Sequence, residues 1–226
     1  VLLSQPVRRI LKEDGLWKVI TTSDDFCADS VVLATGSNPK IWKLLGAIGH
    51  KIVSPVASLF TFNIHDDRIT GLPGVSTNAR VQIVSESDQV LLESSGPLLI
   101  THWGMSGPAI LKLSAWGARL LEPLNYKFAI NVNWLNGVAL EKAASTLKDI
   151  KAHIGKKQVS ANPQFQLPKR LWASIVKAAG IERGTIWAEV NKETLERLGS
   201  ELTSARFVVE GKSTFKEEFV TAGGVE

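Results

Sequence analysis

Between residues 137 and 203 the apolar side chains recur with the period of a helix, whereas on both sides of that window they alternate every second position. A run with a period of about 3.6 cannot hold one face toward a sheet, and strict alternation cannot form an amphipathic helix. The chain therefore has to be a strand-built body with a helical piece nested inside it. Leu140, Ala143, Ala144, Leu147, Ile150 and Ile154 mark the first helix of that piece. Leu171, Trp172, Ile175, Val176 and Ala179 mark the second, opened by Pro168 and closed by Gly180. Leu195, Leu198 and Leu202 give the third its stripe, with Asn191 as the expected N-cap.

From 51 to 134 short alternating runs are closely punctuated by Pro and Gly: IVSPVASLFTFNI, ARVQIVSE, VLLES, LLITHW and YKFAINVNW. That spacing predicts a small barrel or sandwich. One helix interrupts it, starting at Gly107 and Pro108 and running through AILKLSAWGARLL. After the helical piece, RFVVEG and EEFVTAG read as return strands. At the other end, residues 1–11, 16–22 and 29–34 read as three strands, with a turn at Glu13, Asp14 and Gly15. The third, SVVLATG, is a continuous apolar run that predicts a strand buried on both faces of a parallel or mixed sheet. Trp17, Trp42, Trp116, Trp172 and Trp187 fall in patterned elements and are expected in the core; Trp103 and Trp134 are left open.

A net charge of +4 raises the question of nucleic acid. Residues 137–212 hold 13 Lys/Arg against 8 Asp/Glu, and the remainder 13 against 14, so the excess sits in the helical window. Its lysines are scattered among acids without interleaved aromatic rings that would stack bases, and a solvated helical face is the expected reading. A nucleic-acid partner is not expected on this ground. No apolar run approaches the roughly 18 to 20 residues a bilayer helix needs, so no membrane partner is expected. The single cysteine, Cys27, suits a reducing cytoplasm.

Several motifs invite chemistry. GKST at 211–214 resembles the end of a phosphate-binding loop, but Arg206 stands where the first glycine belongs and the flanks are strand-like, which predicts a turn between strands. GMSGP at 104–108 resembles the nucleophile elbow of hydrolases, with Pro108 in place of the last glycine and no assignable partners for Ser106. His50, His65, His102 and His153 show no metal-ligand spacing, and no metal is expected. His102 lies between an apolar strand and a glycine-bearing turn that opens a helix. Backbone amides there would favour an anion, and the alternative is a tight corner with His102 bonded to a local carbonyl.

FVTAGGVE closes the chain on a strand and a glycine pair, and VLLSQPVRRI opens it without Met, so the sequence reads as the middle of a longer protein. ADSVVLATGS, IGHKIVSPVASLFTF, GPLLITHWGMSGPAILKLSAWGAR and FKEEFVTAGGVE together resemble the YhiN-like (BaiN-type) bacterial flavoproteins, oxidoreductases that use NAD(P) and FAD. The resemblance covers nearly the whole chain, and THWGMSGPAIL and FVTAGGV are its most specific blocks.

It implies an α+β chain that is a fragment of an α/β FAD-binding flavoprotein. A β-meander remnant of the FAD domain would span 1–38, a barrel-like insert 39–136, a nested three-helix subdomain 137–203, the barrel return 204–217, and re-entry to the FAD domain 218–226. By the same resemblance, Val7, Ala34, Thr35, Gly36, Gly223 and Gly224 would meet FAD, while His102, Trp103 and Ser106 would line the substrate side. His102 would be the candidate catalytic group, with NAD(P)H as reductant and a small molecule as acceptor. Ser37 stands where that family usually has a second glycine. The fragment alone would be inactive and hold FAD weakly. The competing expectation is a binding module whose basic helical subdomain docks a partner such as RNA.

Overall fold

The computed structural model describes residues 1–213 and 220–226. The chain forms two compact units: Val1–Ala57 with Phe219–Glu226, and Ser58–Glu218.

In the first unit, β1 (Arg9–Glu13), β2 (Leu16–Ile20) and β3 (Asp25–Ala28) form an antiparallel meander. Asp14 and Gly15 join β1 to β2 with positive φ at both positions, the two-residue turn whose twist matches the strands it joins. Lys18 lies 3.3 Å from Asp25 and 3.8 Å from Glu13, and these carboxylates, the Asp25 hydrogen bond first, raise its pKa. Helix α1 (Pro39–Ala47) starts with proline at its first turn, and the Asn38 side chain accepts the Lys40 amide at 3.0 Å. Strand β4 (Ile52–Ser58) pairs with β12 (Val220–Val225).

SVVLATG is not a strand. It lies outside any ladder, and Val32 is 90% exposed. The apolar run supplies suitable side chains, but burial on both faces also requires neighbouring strands, and no described strand flanks it.

The second unit contains the barrel and the helices. Strands β5 (Thr61–Asn63), β6 (Ser76–Val84), β7 (Val90–Thr101), β8 (Gly104–Ser106), β9 (Phe128–Asn133), β10 (Ala205–Val209) and β11 (Gly211–Ser213) form an antiparallel sheet ordered β10-β9-β6-β7-β8-β5-β11. The two strands at its ends, β10 and β11, are separated in sequence by Glu210 alone, whose amide donates to the Asn63 carbonyl at 2.9 Å. One bent strand therefore pairs with β9 on one side and with β5 on the other, and the sheet closes on itself, which removes its edges. VLLES and LLITHW, read as two strands, are one: β7 runs through Gly96, whose φ of 143° relaxes the strand at its middle.

Alternation sends Ala79, Val81, Ile83, Ile130, Val132, Phe207 and Val209 inward. Edge-to-face rings fill the space, with Phe60 and Tyr126 at 5.2 Å and Phe62 and Phe128 at 5.0 Å. Helix α2 (Pro108–Trp116) packs on β7 through Ala109, Ile110 and Leu113, followed by α3 (Ala118–Leu121). Trp116 is a correction: it is 63% exposed, about 70° round the helix from the centre of that buried face.

Between β9 and β10 the chain forms α4 (Leu140–Ile154), α5 (Lys169–Ala178) and α6 (Lys192–Thr203), with a 3-10 turn at Trp187–Glu189. Asn191 caps α6 by accepting the Thr194 amide at 2.8 Å. Gly180 ends α5 with φ 81°: its amide donates to Lys177 and that of Ile181 to Val176, a Schellman turn. Trp172 and Trp187 are fully buried, and the Trp172 indole donates to the Val159 carbonyl at 2.8 Å. Gly211–Ser213 of GKST is strand β11, while Thr214, and the part of EEFVTAG and FVTAGGVE before Val220, lie outside the described residues.

Candidate functional site

In the second unit the turn after β5 carries His65, Asp66, Asp67 and Arg68 in succession, and it meets the β7–β8 hairpin and the first turn of α5. They enclose an open cleft of about 1090 Å³, lined among others by His65, Asp66, Thr101, His102, Gly104 and Arg170. Each wall has a local cause. The hairpin can approach β5 because Gly104 has no side chain: a Cβ there would stand 2.1 Å from the Phe62 carbonyl oxygen. Arg170 is held by donating to the Gly71 carbonyl, and the His65 imidazole by Glu210, Nδ1 to Oε2 2.8 Å.

Behind the cleft, Arg68 ties the turn to the helices. Its guanidinium bonds Asp66 at 2.7 and 2.9 Å and Glu201 of α6 at 2.9 Å, reaches the Arg206 carbonyl, and lies 4.0 Å above the Phe207 ring. Its own carbonyl accepts the Ser174 hydroxyl of α5 at 2.7 Å. Burial disfavours both charges. The hydrogen bonds between them outweigh it, holding the Asp66 carboxyl below its ordinary range and raising the Arg68 pKa.

His102 sits exposed at the hairpin tip, and among the described residues its imidazole makes no hydrogen bond. Trp103 is half-buried beside it, its carbonyl accepting the Ile64 amide at 2.9 Å. Ser106 is a ladder residue of β8 rather than the apex of an elbow, and its Oγ accepts from Thr61 Oγ1 at 3.1 Å. Of the three, His102 lines the cleft. Sequence reasoning missed His65, Asp66 and Arg170; the charged quartet HDDR directly after an apolar strand was the available signal. No group of three or more His, Cys, Asp or Glu capable of holding a metal exists among the described residues.

In the first unit, a hydrogen bond of 2.7 Å between Ser37 Oγ and Thr221 Oγ1 brings the segment holding Ala34, Thr35 and Gly36 beside the strand holding Gly223 and Gly224. Gly36, Gly223 and Gly224 all have positive φ; nothing lies within 4 Å of a Cβ at Gly36, and one at Gly224 would stand 3.8 Å from Trp42. Gly36 and Gly223 are exposed backbone without side chains and fit close approach by a flat ligand such as a flavin nucleotide, whereas Gly224 is buried beside Trp42. Val7, also exposed, precedes β1.

Residues 56–220 match the family model described as HI0933-like protein barrel and H2TH domain. The chain belongs to this HI0933-like family. The match covers the closed barrel and the nested helices, and it bears out the flavoprotein family named by the sequence blocks. Among curated relatives of the HI0933-like chain, the ribosomal RNA dihydrouridine synthase of Escherichia coli is 27% identical over 194 residues, 84% of this chain and 44% of that protein. The 3-dehydro-bile acid delta(4,6)-reductase of Clostridium scindens is 26% identical over 212 residues, 88% of this chain and 50% of that protein. A ribosomal RNA dihydrouridine synthase of Haemophilus influenzae is 24% identical over 193 residues, 84% and 44% of the two. The chain spans about half the length of these relatives. Among the described residues no helix is long and apolar enough to cross a membrane.

Proposed function

We propose that the protein carrying this chain is an FAD-dependent oxidoreductase that takes hydride from NAD(P)H and adds it to a carbon–carbon double bond of an organic acceptor. The family match supports the class, and the observation in this chain that carries it is the exposed, positive-φ Gly36 and Gly223, on segments joined by the Ser37–Thr221 hydrogen bond. The relatives' names support the type of reaction: a dihydrouridine is a uridine with two hydrogens added, and a delta(4,6)-reductase acts on double bonds. The names divide on the acceptor, ribosomal RNA in one and a bile acid in the other. A bound flavin supplies the hydride chemistry, and the chain supplies position and proton management.

Gly36 and Gly223 would meet the flavin nucleotide. His102 is the candidate to give the proton that completes the addition.

The direct test is the visible spectrum of the whole protein, then anaerobic addition of NADPH or NADH. Flavin bands that bleach are the expected result. A colourless protein that cannot be reconstituted with FAD would end this reading. In the same preparation H102A should keep the flavin bands and their bleaching while slowing reoxidation by acceptor about 10²-fold or more; an unchanged rate would remove His102 from the chemistry.

A further inference from the structure

Trp116 has no place in the barrel core, and the surface beside it holds an unfilled hollow. The Gly117 amide donates to the Leu113 carbonyl and the Leu121 amide to that of Gly117, so the helical winding continues from α2 into α3. Leu120 therefore stands one turn, about 6 Å, beyond Trp116. With Leu91, Leu124, Phe128 and Ala129 it lines an open concavity of about 610 Å³. Ala129 shares a rung with the exposed Val208 of β10, and the apolar surface runs on across the barrel wall.

The Trp116 ring is not part of that lining. It lies toward the preceding turn, with the Lys112 ammonium 5.2 Å from its centroid. One face of the molecule thus carries both an aromatic projection and, a turn away, a hollow wide enough for an indole. Trp116, Leu91, Leu120 and Leu124 are all exposed, and a contiguous apolar surface with tryptophan at its edge is the composition of a protein interface.

Charge narrows the occupant. Glu86 and Lys127 line the hollow with opposite signs; both are exposed, and among the described residues neither side chain makes an ion pair or hydrogen bond. Arg206, also in the lining, is already paired with Asp88. The surface has no net charge in a chain of +4, so a strongly acidic partner or an anionic lipid surface gains nothing from it. A second copy does gain. Turned about a two-fold axis, the same surface offers Lys127 to Glu86 and Glu86 to Lys127, and a tryptophan to the hollow in both directions. Because the barrel is closed it presents no strand edge, and side chains have to make the contact.

We propose that the protein forms a two-fold symmetric dimer through this face, with Trp116 of each copy seated in the hollow beside Leu120 of the other and Glu86 of each facing Lys127 of the other. The dimer goes beyond the oxidoreductase reading and does not depend on it, since neither the flavin nor the cleft takes part.

The test is sedimentation velocity of the whole protein over a wide range of concentration. A dimer is the expected species. W116A should raise its dissociation constant about tenfold or more, as loss of a buried aromatic anchor does. E86K and K127E each set like charges against each other twice per dimer, and each should weaken it by a similar factor. An equal mixture of the two should recover a dimer about as tight as wild type, because each variant supplies the charge the other lacks.

All three positions are exposed, and matching thermal melts will establish that the variants fold. A monomer at every concentration, a dimer that W116A leaves unchanged, or a mixture no tighter than its components would each overturn the proposal. A monomer whose Trp116 emission, isolated by difference from W116F, is shielded from acrylamide would overturn the second copy and assign the cover to another segment of the same polypeptide.

Discussion

Gly104→Ala is expected to cost about 3 to 5 kcal/mol, whereas Gly96→Ala should cost about 1. The two glycines have nearly the same backbone conformation, φ 148° and 143°, so the strain of placing an L side chain there is common to both. They differ in what a Cβ would meet. At Gly96 nothing lies within 4 Å; at Gly104 the Phe62 oxygen lies at 2.1 Å and the Ile64 nitrogen at 2.7 Å, both backbone atoms that no rotamer change can move away. Relief requires β8 to leave β5, and that pairing is one seam of the closed barrel. For a protein whose whole stability is about 5 to 15 kcal/mol, thermal unfolding should show G104A lower than G96A by about 5 °C or more. Equal melting temperatures would mean that the hairpin yields freely and that the close approach does not set the cleft's shape.

The second large effect is at Arg68. Removing its side chain leaves Asp66 and Glu201 facing each other without their shared partner, strips a cation from the Phe207 ring and frees the turn from α6. The side chain retains 21% of its exposure, so the cost falls below that of a fully buried pair, at about 2 to 3 kcal/mol for R68A. R68K should recover less than half of it, because an ammonium cannot bond both carboxylates with a planar fork.

The pH dependence gives an independent readout. Asp66 is held ionised below its ordinary range, so the unfolded state binds its proton first on acidification. The stability it contributes is present above the carboxylate range and is lost as pH falls through the folded pKa. Wild type and R68A should accordingly converge in melting temperature below about pH 4. A gap that stays constant with pH would assign the effect of Arg68 to packing alone.

What could be read from the sequence was local. Asn191, Gly180 and the Leu195, Leu198, Leu202 stripe carry their own instructions, because capping and helical period act within a few residues. Short strands between Pro and Gly were visible for the same reason. Closure of the barrel was not, since it depends on Gly211–Ser213 pairing with residues 61–63, about 150 positions away. SVVLATG misled because an apolar run records what a strand could bury and not whether neighbours exist to pair with it. The cleft was half legible: His102 stood out beside its glycines, while His65, Asp66 and Arg170 belong to it only through folding.

The strands that bracket the helical piece are ladder neighbours, with Val132 opposite Ala205. Seen from the barrel, everything between them occupies the place of a hairpin loop. A loop that begins and ends on one rung can be lengthened, trimmed or exchanged without moving any other strand's register. The helices are nevertheless no loose appendage, because Arg68 to Glu201 and Arg170 to the Gly71 carbonyl fasten this long loop back onto the turn that walls the cleft.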